Sequence, residues 1–402
     1  MPTTLEKFLA AFGFGGSKKP KTTFEQLKTR SSEMDKKLKA LKEAGQKLET
    51  LGFDATKVKG DYTDLFKAKR ETLEGRDIDV TYADLAGLMK QVDEAVEQAD
   101  TLLKETKKIM GESKGNPSAT QKSAIFKEAL KVLYKLEIVV PPGMDSTHFD
   151  RVFEMFSTVP KEHVVHDKLT KLTYTDAEDD KGSGAYGGAE IEMGDFGDAT
   201  GKENYSIDGT VIPANSFDVT TLHEIGHAVD AKNSIMASNR EKAGCGGWKN
   251  ESVAGIAAIF LKEMKGEVPF AKKAKDSELL AVVTEVLDKG TGSKPDSITD
   301  DEWTNAQRFL VNRCLVIRSN KSPWNNPPPA IGGRIYQQAY ARANAWWSYA
   351  EAARASTKVN NYQWRAPGEW FAEIYAISWL AKKPPPSGVD ASVSKFTWHA
   401  KG

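Results

Sequence analysis

The stretch "FDVTTLHEIGHAVDAKN", Phe217 to Asn233, places two of the chain's six histidines four residues apart, with a glutamate directly after the first. On an α-helix, side chains at i and i+4 stand one above the other. His223 and His227 can therefore present two imidazoles to one ion while Glu224 flanks the open coordination position. Two nitrogens and a nearby carboxylate suit zinc and an activated water. The same stretch predicts its own helix, because Asn215 and Ser216 can cap its start and Val219, Leu222, Gly226 and Val229 form an apolar stripe. Gly226 weakens a helix interior, which implies the close approach of another element. Asp230 shares the face but lies about 10.5 Å of helix rise from His223, too far for all three to converge on one ion. It is expected beside the ligands, supporting one of them, or in a plain salt bridge. Two ordinary histidines on a helix remain the competing reading until a third ligand is found.

The stretch "NNYQWRAPGEWFAEIYAISWLAKKPPP" supplies candidates for that ligand. Pro367 suits a first helical turn and Pro384 to Pro386 stop the helix, so Glu369 and Glu373 share one face. One carboxylate can complete a two-histidine, one-glutamate site while the other accepts a hydrogen bond from a ligand imidazole and fixes its tautomer. Two solvated glutamates on a surface helix would look similar. However, Trp370, Phe371, Ile374, Tyr375, Ile377 and Trp379 surround them, which predicts a buried helix whose carboxylates need partners.

These two motifs resemble those of zinc metallopeptidases of the gluzincin type, above all the catalytic domain of anthrax toxin lethal factor and related bacterial toxin and effector peptidases. "HEIGHAVD" is similar to that family's zinc helix and "GEWFAE" to its glutamate helix, with Tyr362 seven residues before Glu369 in the place of the family's tyrosine. The resemblance implies one zinc ion held by His223, His227 and Glu369. It further implies Glu224 as general base, Tyr362 as hydrogen-bond donor to the transition state, and Glu373 as support for a ligand. It also implies a zincin-like fold, protein or peptide substrates, and a toxin or effector exported by a dedicated secretion system into a target cell. One departure stands out: 142 positions separate His227 from Glu369, far more than in the lethal factor domain. Two other functions remain in contention, a binding or structural protein on the same scaffold and a cytosolic housekeeping metalloprotease.

Outward from these motifs, the glycine-rich run "GAYGGAEIEMG" is read as an ordinary hairpin or, as the resemblance implies, as the cleft-edge strand that pairs with an extended substrate through Tyr186, Gly187, Gly188 and Ala189. Residues 251–265 and 277–288 have helical spacing, and the aromatic-rich stretch from Tyr336 to Ser356 is also read as helical, with Trp346, Trp347 and Tyr375 in the core rather than a cleft. Toward the N-terminus, apolar residues from Phe24 to Leu51 and from Leu85 to Ile109, then the stretch Ser123 to Val140, predict three amphipathic helices in a hairpin or small bundle.

The expected class is α+β and mostly helical. A flexible segment 1–20 precedes a helical domain over 21–140 for delivery, docking or regulation, and a catalytic domain with a small mixed sheet spans 141–402, with a helical insertion at about 240–330. Pro141-Pro142-Gly143 marks the boundary. The 402 residues carry 40% hydrophobic and 28% charged side chains with zero formal net charge, so nothing favours nucleic acid as a partner. Neither a Sec signal nor a membrane-inserting run is found, and synthesis in the cytoplasm is expected. Cys245 and Cys314 permit one disulfide without implying it, and Cys245 raises the thought of a thiolate that blocks the metal in a latent form. His148, His163, His166 and His399 show no ligand spacing with one another.

Overall fold

The computed structural model describes residues 82–111, 117–142, 144, 148–176, 183–194, 201–267, 274–289, 293–310, 324–339 and 345–399, with some helical residues between 32 and 49. The segment 1–20, most of the helix expected from Phe24, and Cys314 lie outside the described residues. Helices alternate with small sheets, an α+β arrangement. The chain divides into two compact units, Met1–Ile138 with Asp145–Phe153 and Val139–Met144 with Glu154–Gly402.

In the first unit, α1 (Tyr82–Met110) packs against α2 (Ala119–Tyr134), and Ala99 and Leu102 of the one and Ala129 and Leu130 of the other are fully buried. Ser118 begins α2 with a reciprocal cap, its Oγ accepting from the Gln121 amide at 3.2 Å and its own amide donating to Gln121 Oε1 at 3.0 Å. The helix predicted over Ser123 to Val140 is shorter than its spacing suggests. Lys135 adopts a left-handed conformation (φ 59°) that ends α2, and Glu137–Val139 forms strand β1. Helix α3 (Phe149–Thr158) follows.

The second unit carries the two motifs. Strands β2 (Lys171–Thr175), β4 (Glu190–Gly194) and β3 (Gly184–Gly187) lie side by side in that order, with β2 and β4 parallel and β3 antiparallel on the outside. Gly188 (φ 59°) and Ala189 (φ 69°) make the tight β3–β4 turn, which needs left-handed residues at both positions. The glycine-rich run is thus both an edge strand and a hairpin. A second hairpin, β5 (Lys202–Ile207) with β6 (Thr210–Asn215), delivers the chain into α4 (Ser216–Asn233), where Asn215 accepts from the Phe217 amide at 2.9 Å.

Helix α4 is the histidine helix, and it packs closely on α10 (Pro367–Ala381), the glutamate helix, which has proline in its first turn. At Gly226 a Cβ would stand 3.0 Å from Ala372 Cα and 3.2 Å from the Tyr375 ring, so glycine here is what lets α10 come close. The left-handed Lys382 (φ 51°) ends α10 before Pro384 to Pro386.

Between the two motif helices run α5 (Ile235–Asn239), β7 (Lys249–Glu251), α6 (Val253–Glu267), α7 (Asp276–Lys289), α8 (Asp300–Leu310), β8 (Arg334–Gln338), β9 (Trp346–Ala350) and α9 (Glu351–Thr357). Helices α6 to α8 share a core of Ile256, Phe260, Met264, Leu279, Val283 and Leu287, joined by Tyr336 and Trp346. The three strands form an antiparallel sheet in the order β7–β9–β8. The helix expected over Tyr336 to Ser356 is therefore strand at 336–338 and Trp346–Ala350 and helix only from Glu351, with 340–344 outside the described residues. Apolar groups cover both faces of β9, with Trp346 in the helical core and Tyr349 on the other face, 4.9 Å from Trp248 and 4.7 Å from Trp364 between ring centroids. A strand buried on both faces has no alternation to betray it, and its aromatic content was the better signal. Among the described residues, no helix is long and apolar enough to cross a membrane.

Candidate metal centre

Because α4 and α10 approach at Gly226, the polar stripes of the two helices face each other. His223 Nε2 lies 3.0 Å from Glu369 Oε2, His227 Nε2 lies 3.2 Å from the same oxygen, and the two nitrogens are 3.0 Å apart. Three atoms that can each ligate a metal thus form a small triangle, which a proton on an imidazole nitrogen or a cation at its centre would hold together. Tetrahedral bonds of about 2.0 to 2.1 Å would separate neighbouring donors by about 3.3 Å, so the triangle is close to the size zinc requires. Two imidazoles and a carboxylate also match zinc in ligand type, and the set leaves a coordination position open.

The surroundings prepare these ligands. His223 Nδ1 is 3.0 Å from Glu373 Oε1, a contact of charge more than of well-aligned hydrogen bonding, since its angle is poor. Asn360 Nδ2 donates to the other Glu373 oxygen at 2.7 Å. A carboxylate on Nδ1 favours the tautomer that turns the Nε2 lone pair toward the centre of the triangle, where a metal would bind. Burial opposes a charge on His223, but Glu373 and then Glu369 outweigh it and hold its pKa well above the ordinary value. For Glu369 burial pushes upward, yet hydrogen bonds to His223 and His227 win and hold the carboxyl below its usual range.

Glu224 is buried, and its Oε2 has no hydrogen-bond partner among the described residues. Burial raises its pKa, with His223 and His227 pulling the other way. It faces β3 so tightly that a Cβ at Gly184 would stand 3.0 Å from Glu224 Oε1 and 2.6 Å from Thr220 Cγ2. The Tyr362 ring, carried on a short 3-10 turn (Tyr362–Trp364), lies 5.9 Å from the His223 ring. Burial and then the Glu369 charge push the phenol up to about 12, so Tyr362 is a neutral O–H donor at physiological pH.

His223, His227 and Glu369 thus meet around one point, with Glu224, Tyr362 and Glu373 around them. Compared with family models, curated proteins and solved structures, the chain matches none of them. The site stands on its geometry.

Two expectations need revision. Asp230 does not support a ligand imidazole; its Oδ1 accepts from the Met236 amide at 2.8 Å and tethers the start of α5, with His227 acting on it only at a distance. Cys245 is a free thiol in a buried turn, outside the ligand triangle, and burial raises its pKa to about 11. Outside the triangle, that thiol is not a further ligand in this structure. On β3, Tyr186 stacks over His227 (6.5 Å between centroids, 14° between planes) and its hydroxyl donates to Lys168 O at 2.7 Å, while Gly187, Gly188 and Ala189 round the turn.

Three neighbours escaped the sequence reading. Asn360 orients Glu373, Arg365 bonds the Tyr362 hydroxyl, and buried Gln337 donates to the carbonyls of Trp364 at 2.8 Å and Arg365 at 2.9 Å. Arg365 had a signal in its position four residues before Glu369. Gln337 had none.

Proposed function

We propose that the chain is a zinc-dependent endopeptidase that cleaves protein substrates through a metal-activated water. The observation that carries this reading is the triangle of His223, His227 and Glu369 with a buried carboxylate near it, Glu224, whose Oε2 has no hydrogen-bond partner among the described residues. A purely structural zinc site closes with four protein ligands and has no use for such a base. Bound zinc supplies an acidified water and polarises the scissile carbonyl. Glu224 takes a proton at its carboxylate and passes it to the leaving amine, a role suited to a carboxyl whose pKa burial has raised. Tyr362 donates its O–H to the oxygen that gains charge. The outer edge of β3, with no strand beside it among the described residues, pairs with an extended peptide, and the Tyr186 ring forms a wall next to His227. A role as a toxin or secreted effector follows from the family resemblance.

The test is Glu224→Gln, which keeps size and hydrogen bonding but cannot accept the proton. Zinc content should match wild type, and cleavage of a broad peptide library should fall by about 10²- to 10⁴-fold. Zinc-loaded wild type and variant that are equally inert would refute the peptidase reading.

A further inference from the structure

We propose that Arg365 is a positioning residue for Tyr362, setting the direction of its O–H, and that strand β8 keeps the pair in register through Gln337. The inference rests on the peptidase reading and gives the long segment between the two motifs a part in it.

A phenol oxygen has one hydrogen and lone pairs that accept. Arg365 Nη1 donates to the Tyr362 oxygen, so an acceptor site is taken and the hydrogen must point elsewhere. The guanidinium is itself held. It lies 5.2 Å from the Tyr362 ring centroid and 5.4 Å from that of Trp324, and its Nη1 is 3.9 Å from Glu369 Oε1. Two aromatic faces and a carboxylate leave a planar cation little freedom, and Lys could not replace this combination of stacking and directed donors.

The backbone beneath is fixed as well. Asn360 Oδ1 holds the start of the turn Tyr362–Trp364 by accepting from the Gln363 amide at 2.9 Å. At its far end the Gln337 amide reaches from β8 to the carbonyls of both Trp364 and Arg365. β8 pairs with β9, and Tyr336 and Trp346 in these strands belong to the core of α6 to α8. The position of the Tyr362 hydroxyl is thereby tied to the sheet and helices inserted between the motifs. An error of about 1 Å in such a donor can cost about 10²-fold in rate, so this bracing has catalytic consequences.

The experiment combines kinetics with a readout that needs neither metal nor turnover. In protein labelled with ¹³C at the tyrosine Cζ, the Tyr362 signal is assigned by its loss in Tyr362→Phe, and Arg365→Gln and Arg365→Lys should both shift it in the metal-free state. In zinc-loaded enzyme, Arg365→Gln should lower kcat by about tenfold or more with KM within about twofold, and in the Tyr362→Phe background the same change should cost less than about threefold. A Tyr362 signal that does not move, an equal cost of Arg365→Gln in both backgrounds, or a rise in KM alone, which would make Arg365 a substrate contact, would each overturn the proposal. Gln337→Leu provides a milder probe and should move the same signal if Arg365→Gln folds poorly. A shifted signal in a zinc-loaded protein that cleaves nothing would instead remove the peptidase reading and leave the Arg365–Tyr362 pair standing.

Discussion

His223 and His163 both pack against helix α10, and the helix treats them in opposite ways. His223 meets the face that carries Glu369 and Glu373, and its pKa is held well above the ordinary value. His163 meets the face that carries Tyr375 and Trp379, with ring centroids at 5.7 and 6.1 Å and Phe396 at 6.3 Å, and burial lowers its pKa to about 4. Each pair of α10 residues is spaced by four, and six positions from 369 to 375 turn the helix by about 240°, so the stripes look in different directions. Burial disfavours the cation at both histidines. The carboxylates decide the difference, since they reward positive charge whether it is a proton or a metal ion, while Tyr375 and Trp379 carry no charge to offset the cost of burial.

The largest effect that could break this comparison is loss of the ion itself. Zinc at about 1,000 times its dissociation constant should stabilise the protein by about 4 kcal/mol, and a chelator should remove that increment. Glu369→Ala should abolish the zinc-dependent shift in thermal melting, whereas a change at His163 should leave it intact. Persistence of the full zinc shift in Glu369→Ala would show that the triangle is not the binding site.

A smaller effect is expected one step out from the ligands. Glu373→Gln keeps the volume but removes the charge at His223 Nδ1 and loosens the bond from Asn360. Zinc affinity should fall by about 10- to 100-fold, read by competition with a chromophoric chelator. An affinity within about twofold of wild type would mean that Glu373 serves α10 and not the metal.

The cluster of His223, His227 and Glu369 was legible in the sequence because its residues stand at fixed helical spacings. His223, Glu224 and His227 declare a helix face, and Glu369 and Glu373 declare another among aromatic residues that require burial. Pro367 and Gly226 marked where α10 begins and where it comes near. The aromatic half was not legible, since His163 has no ligand spacing and its partner Tyr375 lies 212 positions away. Gln337 was equally silent, because an amide that reaches carbonyls 27 and 28 residues distant looks like any strand glutamine. The strands at Tyr336 and Trp346 were misread for a different reason. Helical and doubly buried strand patterns coincide when both faces are apolar, and in such a segment aromatic content weighs more than period.

The aromatic half can be tested by pH. His163 has a folded-state pKa of about 4 against 6.5 for an ordinary histidine, because burial disfavours its charge, with Glu162 partly offsetting this and Lys232 and His166 adding to it. Below pH 6.5 the unfolded chain binds a proton that the folded chain refuses, so the folded state loses stability as pH falls from 6.5 toward 4, and the loss levels off below that. Since the ring is only partly buried, screening reduces the effect to about 1 to 2 kcal/mol. His163→Asn removes the titrating group while leaving an amide near the Tyr375 hydroxyl, which lies 3.0 Å from His163 Nδ1. Denaturant melts at pH 7 and pH 5 should therefore show wild type losing more stability than the variant, with zinc affinity at pH 7 the same in both. Equal losses would mean that the aromatic face accepts a charged ring as readily as water does, and the contrast between the two sides of α10 would then rest on the carboxylates alone.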